Sequence, residues 1–398
     1  MTGRPWGGRL KGIGHQDVES RVRQGSSEQP AGNRRDRRIR GKGVASAEAG
    51  AGSDRLYAAL DLGTNNCRLL IAAPARRGFR IVDAFSRIVR LGEGLGASGS
   101  LSDEAVDRTI SALSVCADKM KARGVSRRRM IATQACRIAS NGEEFLQRVE
   151  AETGIQLEII APETEAMLAI AGCSTLIDPQ ASGVLVFDIG GGSTELVWVD
   201  LSAGWRGPYR LHRQIDAWTS MPLGVVTLAE QFGGAHVTAE TFERIVEHCQ
   251  ALISDFHAAA AIEKAMAGGG VHLLGTSGTV TTIAGVHLGL KRYDRSRVDG
   301  TWMVTEEVKN VTERLIDMGY EARAANPCIG RERADLVLTG LAIFEAIRRR
   351  WPCERIRVAD RGLREGMLSL MMSEDRVWQR RRKRSRRRTR AAGEAGSA

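Results

Sequence analysis

The sequence has no uninterrupted apolar run of eighteen residues, which argues against a membrane-spanning helix. It has no Cys-x-x-Cys pair; its seven cysteines are dispersed over 398 residues. An odd, scattered set fits reduced thiols in a cytoplasmic protein better than a disulfide framework. His212, His248, His257, His272 and His287 show no paired-ligand spacing, so no zinc site is expected. The first fourteen residues are broken by Gly, Arg and Lys and lack an apolar core, so they do not read as a secretory signal. Aromatic residues make up only 5% of the chain, and the basic ends lack the interleaved aromatics of a single-strand nucleic-acid binder. What is present, 42% hydrophobic and 26% charged residues, suffices for two ordinary domains with buried cores. It excludes a fibrous repeat and a wholly disordered chain.

The formal charge of +11 is unevenly placed. Residues 1–53 carry 11 Lys/Arg against 5 Asp/Glu, and residues 374–398 carry 10 against 3. The 37 basic and 39 acidic residues of 54–373 leave that segment near neutral, at −2. The basicity therefore belongs to the ends and says little about the chemistry of the middle. Residues 1–53, rich in Gly, Arg, Ser and Ala, read as a disordered basic extension. The tail from Glu374, with Arg380 to Arg384 and Arg386 to Arg388, reads as a solvated, disordered segment of like charges.

Between the ends, strand and helix signals alternate, which predicts an α/β class with mixed sheets. Strands are expected over 56–60, 68–73, 81–91, 129–133, 158–161, 184–188, 194–199 and 271–274. Helices are expected from the Ser102 cap to about Arg123, and over 141–153, 163–175, 226–232, 238–261, 305–318 and 333–350. An internal repeat stands out. Ala59 to Asn65 aligns without a gap on Val186 to Gly192, at an offset of 127 residues. Both copies read apolar strand, Asp, apolar residue, Gly, turn and second strand. Two copies a domain apart predict a duplicated architecture with a cleft between its halves: domain I over 54–177 and domain II over 178–373, with the last helix packing back on domain I.

The second copy is the more informative. In Asp188-Ile189-Gly190-Gly191-Gly192-Ser193-Thr194-Glu195, successive glycines admit positive φ and let an anion approach the backbone closely. Ser193 and Thr194 add hydroxyl donors. Asp188 and Glu195 are oxygen ligands of the kind Mg²⁺ prefers. In the first copy, Asp61-Leu62-Gly63-Thr64-Asn65-Asn66-Cys67-Arg68, Gly63 permits a tight turn, Thr64, Asn65 and Asn66 supply donors, and Arg68 suits phosphate. A third loop, Gly275-Thr276-Ser277-Gly278-Thr279, follows a strand and opens onto a helix N-terminus, as phosphate loops do. Cys67 reads as a small buried residue rather than a nucleophile, and Trp198 as sheet core.

These loops, with Ala132 to Arg137, Glu163 to Ala166, Pro222 to Gly224 and Glu332 to Asp335, occur in an order and spacing that resemble the exopolyphosphatase/guanosine pentaphosphate phosphohydrolase (Ppx/GppA) family. That family belongs to the actin, sugar-kinase and heat-shock-chaperone ATPase superfamily. The resemblance covers essentially 54–373 and corresponds to a short, two-domain form. It implies two duplicated ribonuclease-H-like domains with an interdomain cleft. It implies Glu165 as the catalytic carboxylate that orients and deprotonates water. Glu163 is the other candidate there, but Glu165, directly before Ala166, fits the register. Asp61, Asp188 and Glu195 are implied as metal ligands for Mg²⁺ or Mn²⁺. Gly63, Thr64, Asn65, Asn66, Arg68, Arg137, Gly190, Gly191, Gly192, Ser193, Thr194, Gly275, Ser277, Gly278 and Thr279 are implied as phosphate-binding. The family's basic residue after the helix alanine is replaced by Met167.

The leading expectation is a Mg²⁺-dependent phosphohydrolase that releases terminal orthophosphate from polyphosphate, guanosine pentaphosphate or both. Two alternatives stay open: an ATP-dependent small-molecule kinase of the same superfamily, and a polyanion- or nucleic-acid-binding protein acting through its basic ends. No membrane partner is expected; a homodimer and weak contacts of the tails with nucleic acid complete the partner expectations.

Overall fold

The computed structural model describes residues 55–76, 78–207, 211 and 213–378. The expected extension over 1–53 and most of the basic tail, 379–398, lie outside the described residues.

The chain builds two sheets. The first comprises β1 (Tyr57–Leu62), β2 (Asn66–Pro74), β3 (Phe79–Ile88), β4 (Arg127–Ala132) and β5 (Glu158–Ile159). Its spatial order is β3-β2-β1-β4-β5, antiparallel from β1 through β3 and parallel from β1 through β5. The second comprises β6 (Gly183–Ile189), β7 (Thr194–Asp200), β8 (Ile215–Met221), β9 (Val271–Thr276), β10 (Trp302–Val304) and β11 (Arg355–Ala359). Its order is β8-β7-β6-β9-β11, with β10 added antiparallel beyond β11. Apart from that edge strand, the two sheets have the same topology. The repeat at an offset of 127 residues is therefore a repeat of architecture: Asp61 and Asp188 sit at corresponding ends of the central strands β1 and β6.

The helices that follow the first sheet's strands are α1 (Leu95–Ser98), α2 (Asp103–Ala122), α3 (Gln134–Ile138), α4 (Gly142–Thr153) and α5 (Pro162–Cys173). Those of the second half are α6 (Val225–Phe232), α7 (Ala239–Ser254), α8 (Ala259–Ala267), α9 (Gly278–His287), α10 (Arg295–Val298), α11 (Thr305–Asp317), α12 (Tyr320–Ala325), α13 (Val337–Arg350) and α14 (Leu363–Glu374). The start of α2 follows from Ser102, whose hydroxyl accepts from the Ala105 N–H, with Asp103 and Glu104 in the first turn. Gly154 ends α4 in the left-handed conformation.

The helix expected over 238–261 is two helices. α7 stops at Ser254, and Phe256 turns inward to meet Trp351 edge-to-face with 6.3 Å between ring centroids. Burying that ring outweighs continuing the helix. The helix expected from Arg333 begins at Val337, after a 3₁₀ turn over Arg331–Arg333. β8, β10, β11, the short helices α1, α3, α10 and α12, and α14 are additions to the elements expected from sequence.

α5 and α14 bind the halves together. Leu168 of α5 packs with Leu363, Met367 and Met371 of α14 against Tyr57, Ala59 and Leu70 of the first sheet. On its other side α5 buries Ala166, Ile170 and Cys173 against Val184, Val186 and Val197 of the second sheet. α5 is thus apolar on both flanks, as a helix between two sheets must be. Gly366 lets α14 approach closely: a Cβ there would overlap the Leu168 carbonyl.

Residues 374–378, expected to belong to the solvated tail, are tied to the first sheet instead: α14 ends at Glu374, Asp375 caps it, and the chain beyond packs back. Asp375 accepts from the Tyr57 hydroxyl at 2.6 Å and pairs with Arg55 and Arg127; the Trp378 indole N–H donates to the Gly78 carbonyl. Local sequence shows only the charges; the partners come from strands some 250 to 320 residues earlier. At the far rim, Arg90 pairs with Asp335 at 2.9 Å and the Gly94 N–H donates to Glu230.

Candidate active site

The two hairpins, β1–β2 and β6–β7, end at the same cavity of about 900 Å³. Asp61, Gly63 to Asn66 and Arg68 line it from the first hairpin, and Asp188 to Ser193 and Glu195 from the second. Thr276 to Thr279, at the end of β9, Pro327 to Arg333, before α13, and Asp360 to Glu365, beyond β11, add to the wall. The carboxyl ends of β6, β9 and β11 thus converge there, where open α/β sheets place ligands.

The glycine loops differ from expectation in one respect. Gly63, Gly190, Gly191 and Gly192 all avoid positive φ. At Gly190, Gly191 and Gly192, though not at Gly63, what demands glycine is space: a Cβ on Gly192 would overlap the Gln134 side-chain oxygen and lie 3.0 Å from the Thr64 hydroxyl. The two hairpin loops touch, and a methyl group would part them. The second loop is further pinned to the start of α6, where Val225 and Val226 donate to the carbonyls of Gly190 and Gly191. Among the described residues, the N–H groups of Thr64, Asn65, Gly191, Gly192 and Ser193 have no hydrogen-bond partner. Five free donors lining one cavity are suited to an anion.

The positive φ appears in the third loop, on a residue that is not glycine. Ser277 has φ 85° and ψ −173°, and its hydroxyl donates to the Ile189 carbonyl at 2.6 Å. That bond ties the third loop to the end of β6. Gly278 and Thr279 follow as the first residues of α9, with their N–H groups toward the cavity end of the helix.

Opposite these donors stand carboxylates. Asp188 and Glu195 are direct cross-strand partners on β6 and β7. Glu195 is buried and accepts from the Ser220 hydroxyl at 2.8 Å. Glu165, in the first turn of α5, points into the same space and lies 3.5 Å from Arg137. Burial first, then the charges of Glu195 and Asp61, push the Glu165 carboxyl up to about 9. Burial and the same two kinds of neighbour, Glu195 and Asp61, push Asp188 up to about 7. Asp61 and Glu195 are raised as well, each chiefly by burial.

Three expected residues stand back from the cavity. Thr194 is fully buried and donates its hydroxyl to the Leu223 carbonyl at 2.6 Å. Gly275 lies within β9, packed on Phe187 and Val280. Arg137 donates to the Ile160 carbonyl at 2.6 Å and faces Glu165 from behind. The expected ligands Asp61, Asp188 and Glu195 share the cleft, but among the described residues no three His, Cys, Asp or Glu converge as a metal-holding group. The donor set therefore fits a hard cation held by one or two carboxylates and completed by substrate oxygens and water. It does not fit an all-protein cage. The Glu165 Oε2 atom is buried without a hydrogen-bond partner, as are the side-chain oxygens of Asn65, Asn66 and Gln134. All four are acceptors, which a cation or its water ligands would satisfy.

The Ppx/GppA phosphatase family matches residues 70–375, more than three quarters of the chain. The chain belongs to that family. It is 28% identical over 323 residues to a protein of Haemophilus influenzae named a putative exopolyphosphatase, covering 80% of this chain and 91% of the relative. It is 29% identical over 333 residues to the guanosine-5'-triphosphate,3'-diphosphate pyrophosphatase of Photobacterium profundum; the match covers 81% of this chain and 60% of that longer protein. The crystal structure of the Aquifex aeolicus Ppx/GppA family member superimposes with a TM-score of 0.66 at 28% identity, covering 81% of this chain and 98% of that one. The fold is accordingly the two-domain, actin-like ATPase fold of Ppx/GppA proteins. Among the described residues no helix is long and apolar enough to cross a membrane.

Sequence reasoning missed the fourth loop of this Ppx/GppA cleft, Asp360 to Arg364. Its strand is short and charged, and only tertiary pairing with β9 at Val358↔Gly275 brings its end beside the third loop. The available signal was the Arg361-Gly362-Leu363-Arg364-Glu365 run, a Gly turn between two arginines.

Proposed function

We propose that this Ppx/GppA-family phosphatase releases terminal orthophosphate from a linear phosphoanhydride chain by carboxylate-assisted attack of water. One observation carries the reading: four mutually crowded carboxylates, Asp61, Glu165, Asp188 and Glu195, share a cavity with five unpartnered loop N–H groups. Donors of that kind grip phosphate oxygens and stabilise the charge that spreads over them in the transition state. Glu165, fixed by α5 and backed by Arg137, orients the water and accepts its proton. Arg137 favours the ionised form of Glu165 by its charge, while the buried setting keeps the carboxyl basic enough to take a proton.

Mg²⁺, or Mn²⁺, is held in this reading by Asp188 and Glu195, with Asp61 near enough to share it through water. It would supply neutralisation of phosphate charge and of the acidic cluster. The support lies first in burial, which raises all three carboxyls, and for Asp188 in the charges of Glu195 and Asp61 as well; a cation in the cleft would favour their ionised forms.

For the substrate, inorganic polyphosphate is the first reading, in line with the Haemophilus relative. Guanosine pentaphosphate is the second. It is favoured by the apolar side chains of Ile283, Pro327 and Ile329 in the same cavity wall, which offer a nucleoside something to pack against. Orthophosphate release from each substrate, with and without Mg²⁺, tests the proposal. Release from neither, in the presence of metal, rejects it.

A further inference from the structure

The cavity is electrically divided. Its acidic side holds Glu165, Asp188 and Glu195. Seven arginines among the described residues line the wall; three of them are ion-paired, while Arg68, Arg87, Arg333 and Arg364 are not. Arg295 is bound to Glu365 and Asp360, Arg361 to Asp299, and Arg331 to Glu321. Arg364 differs. It sits at the second position of α14, lines the cavity, and makes no hydrogen bond or ion pair among the described residues. The charged groups that act on it are Glu365, which is committed to Arg295 and to the Gly362 N–H, and Arg68, Asp61 and Arg295. Arg68 lines the same wall, placed there by β2 as the cross-strand partner of Asp61, and it too has no ion-pair partner among the described residues.

Two unpaired guanidinium groups lining one sheltered cleft repel each other and lose hydration, a cost that an anion reaching both relieves. Among the described residues no carboxylate is ion-paired with either guanidinium: Glu365 is turned to Arg295, and Asp61 pairs with neither. Guanidinium forks match phosphate oxygens better than any other side chain. We propose that Arg364, which has no role in the reading above, forms with Arg68 a clamp for the phosphates on the leaving side of the scissile bond. The chain of phosphates then runs from the carboxylate end of the cleft toward α14. The terminal phosphoryl lies among the glycine loops, and the second and third phosphates lie between Arg68 and Arg364. The network Tyr293–Asp360–Arg295–Glu365 serves this arrangement, because it holds the start of α14 in place without spending Arg364.

This inference rests on the phosphohydrolase reading but is tested by a separate measurement. The probes are orthophosphate, which fills one phosphate position, and tripolyphosphate, which fills three. Binding is measured by calorimetry on the Glu165→Gln protein, so that turnover does not interfere, alone and combined with Arg364→Gln or Arg364→Lys. Arg364→Gln should weaken tripolyphosphate binding about tenfold or more, the scale of one charge-assisted phosphate contact. It should leave orthophosphate binding within about twofold, and Arg364→Lys should recover part of the loss. The salt dependence of tripolyphosphate binding should become shallower in Arg364→Gln. In the otherwise unmutated enzyme, Arg364→Gln should raise KM for tripolyphosphate more than it lowers kcat. Tripolyphosphate binding unchanged in Arg364→Gln but lost in Arg68→Gln would overturn the clamp while leaving the phosphohydrolase reading intact. Equal losses for both probes would overturn it too, as the mark of a merely structural residue. Absence of tripolyphosphate binding and of phosphate release in the unmutated enzyme would reject both proposals together.

Discussion

Glu165 and Ser277 show how single side chains carry this site. Glu165→Gln keeps the size and removes the proton acceptor, so turnover should fall by about 10²- to 10⁴-fold. Because burial and the charges of Glu195 and Asp61 oppose its ionisation, the same change should leave the melting temperature equal or higher. A large loss of activity together with a lower melting temperature would point to a structural role. Glu163→Gln is the companion variant, and near-normal activity of Glu165→Gln would transfer the role to Glu163. Ser277 holds a conformation that costs a non-glycine residue about 1–3 kcal/mol, and its hydroxyl bonds the Ile189 carbonyl. Ser277→Ala keeps the strain and loses the bond, so thermal unfolding should show it clearly destabilised. Ser277→Gly loses the bond but sheds the strain, and should unfold close to the parent. If Ser277→Ala melts with the parent, the hydroxyl is not what holds the third loop.

At the level of elements, α14 is the piece to probe, because it is last in sequence yet seals the first sheet. Asp375 closes it. Its bond from the Tyr57 hydroxyl first, and the charges of Arg127 and Arg55, hold its carboxyl below the usual range. Burial and that same bond push the Tyr57 hydroxyl up to about 12. A carboxyl with a depressed folded pKa stabilises the fold above its unfolded value near 4. That stabilisation is lost as pH falls through the folded value. Asp375→Asn should therefore cost about 1–3 kcal/mol at pH 7 in chemical denaturation. The gap between the two proteins should close as the pH is lowered below 4. A constant gap across that range would mean that charge at Asp375 is not what fastens the helix. The elements before α14 were largely legible: Ser102 and Gly154 mark their helices, and both hairpins announce themselves by Asp-x-Gly after an apolar strand. The break at Phe256 was not legible, because what stops α7 is Trp351, some ninety-five residues away.

For the molecule as a whole, the basic ends pose the remaining question. The last twenty-five residues carry ten Lys/Arg beside a middle segment of −2. A cationic segment raises the local concentration of a polyanion and speeds encounter, in a salt-dependent way. Removing 379–398 should raise the apparent KM for long-chain polyphosphate at low ionic strength. It should leave kcat, and turnover of the far smaller guanosine pentaphosphate, nearly unchanged. The difference should shrink as salt rises. Equal KM values for the shortened and full chains at low salt would remove the tail from substrate capture. The cut falls after Trp378, since Asp375 and Trp378 fasten α14 to the first sheet.

The duplication, the two Asp-bearing loops and the family are legible in the order of residues alone. Those features are local, and the 127-residue repeat writes the same hairpin twice. Only the tertiary structure decided which residues face the substrate. Thr194 and Gly275 stand in the right strings, yet packing turns them into the core. Arg364 stands in no phosphate-loop string, yet β11 and α14 carry it to the cleft. The carboxyl shifts that make Glu165 a base come from Glu195 and Asp61, thirty and more than a hundred residues distant in sequence. Burial and charge act through space, and the meeting of two sheets along one cleft is what sets both.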